Sequence, residues 1–375
     1  MIGPFPEEEF LALHRRLALT PGPPNGEEPR RLELARFLDR HAVPHRTDPA
    51  GNLIVVLGDG PWSAAAVLDA HLDVVERGAA REVVNDGECL RGLGVADNQA
   101  AVAMLALAAV RLAPRATGLK RPLVFLFSVG EEGFGNLRGV RQFVADHSEP
   151  PYVFLAFDGR REGHSLTGVG SLRYQLRVAT PGGHSWGNFG APNAIEAALD
   201  FLAAARAAFA KARDRDQGKT SFNIGNISGG QGINSIARTA EATFEFRSVS
   251  PIILAHLAGQ MPKLAARHRK RLPEANLALD LLGERPAGRQ ADHSRLAPIL
   301  AVALGDLAGP NHEAAMSTNI NVPLAHGWPA ACIGLCSGEH SHREDEYLRL
   351  DSLPLGWQSL DHILEHLDAT AGGQE

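Results

Sequence analysis

Apolar residues recur every three or four positions over residues 6–19 and 27–41, which predicts two amphipathic helices split by the breaker TPGPPN at 20–25. The period then changes. Short apolar runs at 52–57 (NLIVVL) and 64–70 (AAAVLDA) predict buried strands. A helix over 98–112 follows, with Asp97 or Asn98 placed to cap it. RPLVFLFS at 121–128 is a further buried strand, 134–146 a helix and YVFLAF at 152–157 a strand. Strands alternating with helices predict a parallel or mixed sheet covered on both faces. After Gly168 the texture shifts. Residues 172–178, 221–227 and 239–247 alternate as half-exposed strands do, 193–213 and 252–271 read as long helices, and 276–282 as a last strand. That order, β-α-β-β-α-β, is a ferredoxin-like sandwich with one sheet face free. From about residue 289 the α/β texture returns, with a helix to 307, a strand at 330–335 and a helix over 352–368. The expected organisation is one α/β domain (1–167 and 287–375) interrupted by an α+β domain (168–286).

Composition narrows the field. The 375 residues, 44% hydrophobic, can bury large cores. A net charge of −6 argues against a nucleic-acid partner held by phosphate neutralisation. Three cysteines, Cys89, Cys332 and Cys336, are too few for a disulfide framework and suit a reducing compartment. The opening residues lack a basic start followed by an apolar run, and no apolar run reaches 18 residues. No signal peptide and no membrane association are therefore expected, and the protein is expected to be cytoplasmic.

Candidate chemistry gathers at strand ends. His71 and Asp73 close the AAAVLDA strand, where i and i+2 share a face. Asp97 sits in GLGVADN, as a helix cap or as a carboxylate able to bridge two metals. Glu131 and Glu132 follow VFLFSVG; adjacent carboxylates there repel, and a cation would relieve them. One could ligate while the other, its pKa raised, acts as general base. Asp158 ends YVFLAF, as an Asx-turn with Gly159 or as a ligand. His342 lies in GEHSHREDEY after the last strand, with His340 as a rival. Nitrogen and oxygen donors without thiolate suit catalytic zinc or cobalt. His71, Asp97, Glu132, Asp158 and His342 would give two metals one histidine each, with Asp97 between them and Asp158 and Glu132 terminal.

In order and context, DAHLDVV, RGLGVADNQAAVAML, FSVGEEGFGNLRGV, FLAFDG, TPGGHSWGNFGAPNAI, GINSIARTAEATFEFRS, MSTNINVPLAHGWPA and HREDEYL resemble the di-zinc peptidase family of peptidase T, carboxypeptidase G, bacterial dipeptidases and acetylornithine deacetylase. The similarity spans nearly the whole chain and is greatest to the tripeptidase-like branch. It implies a catalytic zinc-peptidase-like domain with an inserted lid and dimerisation domain, two zinc ions (cobalt or manganese as alternatives), and hydrolysis of short peptides or, alternatively, of N-acyl amino acids. It also implies roles. Asp73 would orient His71, Glu131 would be the general base, and His342 is preferred over His340 because it stands four residues before Glu346-Tyr347. His184 would stabilise the oxyanion, in a homodimer that of the neighbouring subunit. Asn234 and Arg247 would bind polar groups of the substrate, Arg247 a carboxylate. Four positions depart from the pattern: Gln99 for Lys, Glu245 for Asp, Trp328 for a smaller aliphatic residue, and Asn319 for Asp. Asn319 removes a charge from a loop expected near the substrate pocket, and so bears on specificity. Whether cleavage is at the amino or the carboxyl end is not legible.

Overall fold

The computed structural model describes residues 1–75, 82–214 and 218–372. It divides into two compact units, Met1–Gly168 with Arg289–Glu375, and Val169–Gly288.

The first unit opens with α1 (Glu7–Leu19) and α2 (Glu28–Arg40), then strands β1 (Leu53–Leu57) and β2 (Ala66–His71). Next come α3 (Gln99–Leu112), β3 (Leu123–Ser128), α4 (Arg138–Ala145) and β4 (Val153–Phe157). The predicted helix over 134–146 is shorter because Asn136 and Leu137 adopt left-handed φ values of 56° and 59° just before α4. The α3 segment with its following turn, Gln99–Gly118, has the length and apolarity of a membrane span. Its residues Ala100 to Ala109 are fully or nearly fully buried, as a core helix requires.

In the second unit, β5 (Gly170–Ala179), α5 (Ala194–Arg213), β6 (Thr220–Gly229), β7 (Thr239–Ser248), α6 (Pro251–Arg271) and β8 (Asn276–Arg285) form an antiparallel sheet of order β6-β7-β5-β8. This is the ferredoxin-like arrangement. Asn193 caps α5 by accepting the Ile195 amide, and Ser250 accepts the Ile253 amide ahead of Pro251, a first-turn proline preorganised for a helix. Alternation in β5 and β7 sends Leu172, Tyr174, Leu176, Phe244 and Phe246 into one core with Phe201 and Leu257 of the helices. The other sheet face carries Arg173, Arg177, Glu245 and Asp280, paired as Arg173–Glu245 and Arg177–Asp280.

The chain then completes the first unit with α7 (Leu296–Leu304), β9 (Ala330–Ile333) and α8 (Leu353–Ala369). Its seven-stranded sheet runs Arg46–Thr47, β1, β3, β2, β4, β9, His164–Ser165. The four central strands β3, β2, β4 and β9 are parallel, so their C-terminal ends share one edge. A smaller antiparallel sheet, Gly338–Glu339, Tyr347–Arg349, Cys89–Arg91 and Val84–Asn85, joins the segment after β9 to the segment before α3.

Candidate metal centre

Parallel pairing sets the site. β2 ends on His71, β3 leads through Ser128 to Glu131 and Glu132, β4 delivers Asp158, and the turn after Gly338–Glu339 brings in His342. Asp97 approaches from the start of α3. Neither Asp97 nor Asn98 caps that helix with its side chain. Asn98 instead donates to the Phe157 carbonyl at 2.8 Å, tying the loop to the end of β4.

The Asp97 carboxylate faces two ways. Oδ1 lies 3.2 Å from His71 Nε2, and Asp158 Oδ2 is 4.0 Å from the same nitrogen. Oδ2 lies 3.2 Å from His342 Nε2, which is 2.6 Å from Glu132 Oε1. Two donor sets thus share one carboxylate: His71, Asp97 and Asp158, and Asp97, Glu132 and His342. Glu131 adjoins the first through His71 and Glu132. Asp158 also keeps the local turn, its Oδ1 accepting the Gly159 amide. His340 is directed away, its Nδ1 2.9 Å from Asp345.

In its neutral form the His71 ring donates Nδ1–H to the main-chain oxygen of Asp73 at 3.0 Å, which leaves Nε2 as an acceptor. That acceptor faces Asp97 Oδ1, and both atoms are buried without a hydrogen-bond partner among the described residues. Such a juxtaposition calls for a cation. No Lys or Arg ion-pairs with Asp97, Glu132 or Asp158 among the described residues. Without an ion the imidazoles carry the positive charge themselves. Burial opposes charge on His71, yet Asp97 and neighbouring carboxylates raise its pKa well above the ordinary value. His342 is raised to about 11 by its hydrogen bonds to Asp97 and Glu132. Burial lifts Glu132 to about 7 and Asp158 well above the usual range. For Asp97, burial is outweighed by the two imidazoles, and its pKa is lowered. The donor set fits a metal pair: all oxygen and nitrogen, acidic in sum, with orphaned atoms aimed inward.

Asp73 meets His71 through its main chain. Its carboxylate is 3.7 Å from His71 Nδ1, and it is the residue's carbonyl that orients the ring. The carboxylate accepts the amides of Glu131 (3.0 Å) and Glu132 (2.7 Å), so it positions the paired glutamates. In the second unit, the short strands Gly183–His184 and Ser235–Ile236 pair, which brings His184 beside Asn234. His184 Nδ1 accepts the amides of Trp186 and Gly187, which leaves Nε2 to carry the ring N–H. Arg247 lies near the other end of β7, roughly 25 Å along the strand from Thr239. Its Nε donates to Glu245 at 2.8 Å.

The sequence model of peptidase family M20/M25/M40 matches residues 67–366, the stretch that carries every one of these residues. The chain belongs to this family. It is therefore a hydrolase. Solved structures of the same fold include a tripeptidase from Staphylococcus aureus subsp. aureus Mu50, at 16% identity, covering 98% of this chain and 100% of that one, with a TM-score of 0.78. Aminopeptidase PepT from Bacillus cereus has 18% identity, coverage of 97% and 100%, and a TM-score of 0.75. A dinuclear metal-binding M20 peptidase from Bacillus subtilis has 14% identity, coverage of 97% and 98%, and a TM-score of 0.64. No match is found among curated protein sequences.

Four residues that sequence reading left without a role support the centre of this M20-family chain. Glu346 accepts the amides of Gly94, Ala96 and Asp97 at 2.9–3.0 Å, and so fixes the loop that aims Asp97. The same loop needs Gly94, whose φ is 80° and whose Cβ would lie 2.1 Å from Val74. Arg30 is fully buried and donates to the carbonyls of Leu17, Thr20 and Leu72. Gln99 also donates to Leu72, the residue between His71 and Asp73. Asn319, expected in a loop near the substrate pocket, is 2% exposed, and its amide donates to Asp69 Oδ2 and Ser128 Oγ, both at 2.8 Å. It therefore satisfies a buried carboxylate within the sheet. The clue to Glu346 was its fixed spacing from His342; a lone arginine in α2 offered none.

Proposed function

We propose that this protein is a two-metal hydrolase of amide bonds in short peptides. The observation that carries the reading is Asp97, whose two oxygens face separate imidazole–carboxylate sets. His71, Asp97 and Asp158 would hold one ion, and His342, Asp97 and Glu132 the other, with zinc favoured by the donor types. When bound, such a pair polarises the scissile carbonyl and acidifies water. Glu131, held through its amide by Asp73, takes a proton from the attacking water and delivers it to the leaving amine. His184 offers its Nε2–H to the developing oxyanion. Arg247 pairs with a substrate carboxylate, exchanging Glu245 for it.

The test is metal content by mass spectrometry on protein purified without chelator, with a di- and tripeptide panel run on the same sample. Two ions per chain are expected. Glu131→Gln should retain them and lose about 10²–10⁴-fold in rate. Unaltered turnover by Glu131→Gln would sink the assignment. Metal without peptide cleavage would shift the substrate class to N-acyl amino acids.

We further propose a homodimer with shared sites, since His184 pairs with the segment leading into β7 and Arg247 lies near the far end of that strand. Mixing Glu131→Gln and His184→Ala proteins should restore activity. No recovery after confirmed subunit exchange would rule sharing out.

A further inference from the structure

A second charged site lies at the opposite end of the parallel strands. Arg121 precedes β3, Tyr152 precedes β4, and Ser63 and Ala64 precede β2, so together they frame the N-terminal edge of the sheet. There they line a surface cavity of about 370 Å³ with Arg295 and Thr370. Arg121 is 3% exposed, and its guanidinium carbon sits 3.9 Å from the centre of the Tyr152 ring. Arg295 approaches the same ring at 5.2 Å and donates to the Tyr152 carbonyl. Nε and Nη1 of Arg121 are buried with no hydrogen-bond partner among the described residues, and Nη2 makes one long contact, 3.4 Å, to Thr370. No carboxylate ion-pairs with either arginine among them. Asp368 is nearby, but its Oδ1 accepts the Lys120 amide, and Glu149 is exposed on the rim.

Two guanidinium groups on one phenol ring, one of them buried with unmet donors, are costly without a counter-charge. The aromatic face supplies part of it. The planar forks of arginine suit the paired oxygens of a carboxylate or a phosphate. We propose that this cavity binds a small oxyanion between Arg121 and Arg295, on the side of the sheet away from the metal centre.

The probes are sodium phosphate, sodium acetate and, for location, sodium selenate. At equal ionic strength, phosphate or acetate should raise the wild-type Tm by about 2–5 °C over chloride. Arg295→Gln, a half-buried position whose loss the fold should tolerate, should abolish that gain. Selenate soaked into crystals should give an anomalous peak beside both guanidinium groups. The stronger of phosphate and acetate identifies the anion class. Equal stabilisation of wild type and Arg295→Gln, or no selenate peak in the cavity, would overturn the proposal.

Discussion

Asp69 and Asn319 show how one side chain can change meaning between sequence and structure. Asp69 is fully buried two residues before His71, and burial raises its pKa to about 7 despite bonds from Ser128 and Asn319. Read along the chain, Asn319 is a missing charge near a pocket; in the fold it is the donor that a buried carboxylate needs. Asn319→Asp would set a second carboxylate 2.8 Å from the first. We expect a loss of about 2–3 kcal/mol at pH 8. The sign follows from linkage. A carboxyl whose folded pKa is raised binds protons more tightly when folded, so stability falls as pH rises from its unfolded pKa through the folded one. The loss should therefore shrink at pH 5, where the pair shares a proton. Urea midpoints at both pH values check this, and an unchanged midpoint at pH 8 would sink it.

At the scale of elements, α1 is joined to the metal-centre loop through His14. Its Nε2–H donates to the Val95 carbonyl at 2.7 Å, two residues before Asp97. The ring is fully buried, and burial lowers its pKa to about 4. A histidine held neutral in the fold protonates first in the unfolded chain. Its contribution is thus complete above about pH 6.5 and is lost as pH falls towards 4, by up to about 3 kcal/mol. His14→Gln retains a donor and should show a flatter stability profile across that window; parallel profiles would place the dependence elsewhere. This join was not legible in the sequence, where His14 is one polar residue on an amphipathic helix. The parallel strands were legible, because continuous apolar runs ending in carboxylates mark both burial and the sheet's active edge. The short strands Cys89–Arg91 and Tyr347–Arg349 were not, since two or three residues carry no period. Yet their pairing places Glu346 against the Asp97 loop. The candidate donors could be brought together from sequence because they are motif-bound, while Arg30 could not, because it acts on main-chain carbonyls that any sequence supplies.

For the molecule as a whole, the two units hold separate cores, one centred on Phe125, Phe127 and Leu105, the other on Phe201, Phe244 and Phe246. Metal removal should act on one of them. Asp97, Glu131, Glu132 and Asp158 gather in the first unit, and bound ions that relieve their repulsion stabilise it alone. Calorimetry after chelation should show one transition falling by about 5 °C or more and a second unmoved. A chelator that shifts both equally, or neither, would contradict this. The interruption of the first unit by the second has a further consequence, in time rather than space. The chain leaves the first unit at Gly168 and re-enters it at Arg289. At translation speeds of about 5–20 residues per second, a ribosome spends roughly 6–24 s on the insert. During that interval the nascent chain carries His71, Asp97, the paired glutamates and Asp158, but neither His342 nor Glu346. One half of the proposed centre thus waits for the other.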